Sequence, residues 1–104
     1  MSGATQPGRP VLAAVDSAPN RERVWLQAVG MRLLLARTAR RESQRVVAGR
    51  AGMSTVTLGA VERGEHPGSV LTYARLAAAL GVSLGDLLAG YEAPAGDQRH
   101  RDAR

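Results

Sequence analysis

Between Gln44 and Gly64 the chain holds two short apolar periodicities with only Gly52-Met53-Ser54 to join them. A link that short leaves few choices of fold. Val47, Ala48 and Ala51 fall at i, i+1 and i+4, which gathers small apolar side chains on one face of a first helix. Gly52 then stops it, because a residue without Cβ enters the left-handed conformation freely. Ser54 is suited to open a second helix by accepting a bond from a free backbone N–H of its first turn. Leu58 and Val61 follow at i and i+3 and point inward, and Gly64 ends the second helix as Gly52 ends the first. The two helices must cross steeply about a sharp turn.

Helical patterns flank this pair. Upstream, the sequence predicts a helix that starts near Asn20 as cap, with Arg23 to Arg40 as its body. Trp25, Val29, Leu33 and Ala36 form its core stripe, and Met31, Leu34 and Leu35 widen the apolar surface. A surface that broad suggests that a further element or a second subunit covers part of it. Downstream, Ser69 can cap a fourth helix with Val70, Tyr73, Leu76, Ala77 and Leu80 inside and Gly81 at its end. Ser83 and Asp86 make a capping box for a fifth, with Leu84, Leu87 and Leu88 inward. Residues 1–19 are expected to be a mobile arm, residues 20–90 the folded domain, and residues 91–104 a disordered, charge-mixed tail. Val11 to Val15 is a small apolar patch within the arm, open to three fates: inert, packed on the domain, or pairing two subunits.

Charge and composition narrow the function. The net charge is +5, and all fourteen basic residues are arginine. Seven of them, Arg32, Arg37, Arg40, Arg41, Arg45, Arg50 and Arg63, lie between positions 32 and 63 against Glu42 and Glu62 alone, so that segment carries the whole excess. A polyanion would be drawn there, and the plain alternative is a solvated basic surface. Without cysteine there are no disulfides, thiolate nucleophiles or zinc ribbons. His66 and His100 fall in a loop and in the tail, so neither a metal site nor a catalytic pair is expected, and no cofactor is implied. No apolar run nears the ~20 residues that cross a bilayer. The expectation is a cytoplasmic, nucleoid-associated protein that is not an enzyme.

Gln44, Ala48, Gly52, Ser54, Leu58, Val61, Glu62 and Gly64, at this spacing, resemble the signature of the phage-repressor-like (Cro/XRE) helix-turn-helix family. Val29 to Leu33 with Arg37 resembles its first helix, Ser69 to Gly81 its fourth, and Val82 to Leu88 its fifth. The resemblance implies an all-α, compact five-helix fold of the lambda-repressor type. It implies an ion pair between Arg37 and Glu62 that ties the first helix to the third. It also implies a sequence-specific regulator of transcription, a repressor that acts as a homodimer on double-stranded DNA, with its third helix in the major groove. Gln44, Arg45, Arg50 and Arg63, with Arg40 and Arg41 further out, are then the phosphate contacts, and Thr55, Val56, Thr57, Gly59 and Ala60 the base-reading set. That set lacks the Arg, Lys, Asn and Gln that bond guanine or adenine in pairs. Small side chains there also suit a protein-docking module, antitoxin-like or a regulatory subunit, that binds DNA weakly. Three positions at two places depart from the family pattern. Arg41-Glu42 stands where Gly-Leu is usual before Ser43-Gln44, which leaves Glu42 to turn outward with Ser43 as cap, and Gly68 stands in the place of a proline.

Overall fold

The computed structural model describes residues 17–91, which form five helices and, among those residues, no strand. These are α1 (Ala18–Ala39), α2 (Gln44–Ala51), α3 (Thr55–Glu62), α4 (Val70–Leu80) and α5 (Leu84–Leu88). The patch at Val11 to Val15, the rest of the arm before Ser17 and the tail beyond Tyr91 lie outside the described residues.

Every helix opens on a serine. Ser17, Ser43, Ser54, Ser69 and Ser83 are extended, and the Oγ of each accepts from the N–H three residues on at 3.0–3.2 Å. That bond satisfies one of the donors a helix start leaves without a partner. For α1 this corrects the expected start. Ser17, not Asn20, is the cap, Pro19 sits in the first turn where its missing N–H costs nothing, and Asn20 donates to Ser17 and accepts from Arg23 at 2.6 Å.

The other ends follow one rule as well. After each of α1 to α4 one residue turns left-handed, and the N–H beyond it reaches back to a carbonyl of the last turn. These bonds are Glu42 to Arg37, Met53 to Ala48, Glu65 to Ala60 and Val82 to Ala77, at 2.9–3.3 Å. At α2, α3 and α4 the left-handed residue is Gly52, Gly64 or Gly81; at α1 it is Arg41, with φ 57°. This is the six-to-one closure that usually takes glycine.

Val29 and Leu33 of α1, Val47 and Ala48 of α2, Leu58 and Val61 of α3, Leu76 and Leu80 of α4 and Leu87 of α5 make one core. α2 packs on α3 and α4, and α1 crosses α3, α4 and α5. The α1–α3 crossing is close, since a Cβ on Gly30 would collide with the carbonyl oxygens of Val61 and Glu62. Val70 departs from its expected inward place, being 73% exposed. Periodicity gives the side of a helix, whereas the elements beneath decide how far along it the core extends. Trp25 and Arg32 serve less as core than as a cap for α5. Trp25 Nε1 donates to Leu88 O at 3.2 Å, and Arg32 Nη1 donates to Leu87 O and Ala89 O at 2.9 and 2.7 Å. Tyr91 stands edge-on to Trp25 at 5.4 Å. Among the described residues no helix is long and apolar enough to cross a membrane.

The unusual Gly68 has a use. Its N–H donates to the buried Tyr73 hydroxyl at 3.1 Å, a bond that a proline there could not make. Tyr73 thereby holds the α3–α4 loop against the core.

Candidate nucleic-acid interface

The helix pair α2–α3 is held from below by Glu62, the last residue of α3, which is buried. Arg37 of α1 reaches it with two prongs, Nε to Oε2 at 2.7 Å and Nη2 to Oε1 at 3.1 Å, and Gln44 Nε2 adds a third bond to Oε1 at 2.9 Å. The remaining arm of Arg37, Nη1, donates to Glu42 O at 3.0 Å. Bonding to Glu62 holds the Arg37 guanidinium above its ordinary pKa. One carboxylate thus joins the end of α3 to α1 and to the first residue of α2, and no buried side-chain polar atom among the described residues lacks a partner. Such complete pairing is what makes a buried charge tolerable.

Above this junction α3 offers its first turn. Thr55 and Val56 are exposed, Val56 to 80%, while Thr57 and Ala60 are half-buried. The Thr57 hydroxyl accepts from Ser54 Oγ at 2.9 Å, so part of its polar capacity is turned back on the cap. Gly59 presents no surface. It is buried, and a Cβ there would stand 3.2 Å from Arg63 Nη1 and 3.7 Å from Gln44 Nε2, so the glycine leaves room for those two side chains.

The arginines differ in how free they are. Arg45, in the first turn of α2, and Arg41 are exposed. Arg63 caps α3 and makes a surface pair with Glu65 at 3.0 Å, both side chains more than half exposed. Such a pair is worth little in water and opens easily to a competing anion. Arg50 is more firmly committed. Its Nη2 bonds Glu42 Oε2 at 2.6 Å, and its Nη1 bonds Glu42 Oε1 and Ala79 O at 3.0 and 2.8 Å. Arg40 Nε reaches the same carboxylate at 2.9 Å. Donation from Arg50 and then Arg40 holds Glu42 down at about 2, from an ordinary 4.5. Glu42, in the place of a core leucine, therefore does turn away from the core, but into a clasp that joins the α1–α2 turn, α2 and the end of α4. Sequence reasoning did not find this clasp; the signal was the eight-residue spacing of Glu42 and Arg50 across Ser43, which allows the first two turns of α2 to bring them together.

Gln44 and Arg50 thus have intramolecular partners, while Arg45, Arg41 and Arg63 face solvent, as do Thr55 and Val56. Residues 28–94 match the family described as helix-turn-helix domain. The chain is also similar to a solved structure, the restriction-modification controller protein C.AhdI from Aeromonas hydrophila. Identity is 35%, the match covers 60% of this chain and 94% of that one, and the TM-score is 0.58. Among curated proteins none matches. Taken with the five-helix fold, the serine-capped α2–α3 pair and the Arg37–Glu62–Gln44 junction, these likenesses show that the chain belongs to the helix-turn-helix domain family, in its phage-repressor-like (Cro/XRE) branch of DNA-binding regulators of transcription.

Proposed function

We propose that this protein binds double-stranded DNA as a homodimer, lays the N-terminal half of α3 in the major groove and represses transcription by occupying an operator. The observation that carries the reading is the exposed first turn of α3, Thr55 and Val56, on a helix pair whose solvent-facing charges are arginines. Backbone grip and base reading then divide. Arg45 and Arg63, with Arg41 and Arg40 further out, contact phosphates and give affinity without sequence information. Gln44 stands at the first turn of α2, where the positive helix end suits a phosphate. Its side-chain amide, bonded to Glu62, is placed in advance. Arg50 contributes charge that Glu42 partly offsets, so its larger role is to hold α2 against α4. The likeness to a protein named as a restriction-modification controller supports a regulatory role.

For the second subunit, α1 supplies a surface. Val24, Met31 and Leu35 are 56%, 51% and 58% exposed. At 3.6 residues per turn they lie about 100–140° around α1 from Gly30, the residue pressed on α3.

The test is binding to duplexes selected from a random library, measured against salt. Arg45→Ala and Arg63→Ala should weaken binding similarly for all sequences and lower the salt slope by about 1 each, whereas Thr55→Ala should mainly change site preference. Variants that all bind as the parent does would refute the assignment of this face.

A further inference from the structure

We propose that α3 selects its site by touching the C5-methyl groups of pyrimidines in the major groove, with Val56 as the principal contact. The inference rests on the reading that α3 enters that groove. Val56 is more exposed than any other large hydrophobic side chain among the described residues. It stands on the second residue of α3, and Thr55 adds a methyl beside it. A valine in a helix keeps essentially one rotamer, so its two methyls are held in place before any contact is made. Two of the polar side chains nearby are partly engaged within the molecule. Gln44 Nε2 donates to Glu62, the Thr57 hydroxyl accepts from Ser54, and Gly59 has no side chain to offer. Beside the Thr55 hydroxyl, Val56 gives the tip of the helix its rigid apolar contact surface. In the major groove the apolar feature of an unmodified base pair is the thymine C5-methyl, which cytosine lacks. A methyl at the same carbon of cytosine presents the same shape, so thymine and 5-methylcytosine are two sources of one chemistry.

The experiment uses the full chain and a duplex selected by it from a random library. Each thymine is replaced in turn by deoxyuridine, which removes a methyl and keeps the pairing. At one or two positions in each half-site affinity should fall about 3- to 5-fold, the size expected of one methyl group returned to water. Val56→Ala, an exposed change that should leave the melting temperature as it was, should abolish the deoxyuridine penalty at those positions. A second arm places a cytosine·guanine pair there, with and without 5-methylation. A gain on methylation extends the site to methylated cytosine and no gain restricts it to thymine, and with a deoxyuridine penalty either outcome supports a methyl reader. Equal binding of the thymine and deoxyuridine duplexes, or an undiminished penalty in Val56→Ala, would overturn the inference and leave DNA binding standing. Failure of the parent to prefer any selected duplex over random DNA would bring down the inference together with the reading beneath it.

Discussion

Arg41 holds with a full side chain the left-handed backbone that glycine holds at the ends of α2, α3 and α4. For a residue with Cβ that conformation costs about 1–2 kcal/mol. Arg41→Gly should therefore raise stability by about 1 kcal/mol in denaturant unfolding, while Arg41→Ala, which keeps the strain and loses the charge, should not. The same pair separates backbone from charge in DNA binding, since both variants remove the guanidinium and only one relaxes the turn. The neighbouring Glu42 gives a pH signature. Its folded-state pKa, about 2, is below its ordinary 4.5, so its contribution to stability is fully present above 4.5 and is lost as pH falls toward 2. Glu42→Gln should lower stability at neutral pH and flatten the acid limb of the stability curve between those values. Thermal melts of parent and variant across that range would measure both effects. An acid limb of equal slope in the two proteins would mean that Arg50 and Arg40 do not hold the carboxylate as described.

The helices are positioned by contacts of very different kinds. α2 is clasped to the end of α4 through Arg50, α5 is held by Trp25 and Arg32, and α3 is held to α1 by the Glu62 junction and by backbone set directly against Gly30. The last contact is the least forgiving, because carbonyl oxygens of a helix end cannot swing away as a flexible side chain can. Gly30→Ala, an improvement by helix propensity alone, should instead destabilise the domain by about 1–3 kcal/mol through overpacking. It should also disturb DNA binding, since it pushes α3 off α1. Circular dichroism melts would decide, and a variant as stable as the parent would show that α1 and α3 are not pressed together at this point.

At the scale of the whole molecule, the arginine-bearing α2–α3 face and the apolar stripe of α1 divide the surface between two proposed uses, DNA and a second copy. Leu35→Glu should convert the proposed dimer to monomer in sedimentation velocity and weaken operator binding, with no change in the fold measured by circular dichroism. A dimer that survives the charge would move the interface elsewhere.

Much of the fold was legible in the chain because its signals are local. A serine three residues before a bonded N–H, a glycine just past a periodic run and a 3.6-residue apolar spacing each act within one or two turns, so the starts of α2 to α5, the ends of α2 to α4 and most of the core could be read directly. The start of α1 was not legible in this way: Asn20 offers a cap, whereas Ser17 and Pro19 fall in the stretch 1–19 that reads as an arm. Legible too was the concentration of arginine between positions 32 and 63, because net charge needs no fold. What only the tertiary structure decided was which polar groups meet. Whether Gln44 and Arg50 face outward or bond to Glu62, Glu42 and Ala79 depends on chain segments 8 to 29 residues away. The same holds for the burial of Gly59 under Arg63 and Gln44, the exposure of Val70 and the need for glycine at position 30. Each is a matter of what another helix places alongside, and a one-dimensional pattern carries the side of a helix but not its neighbour.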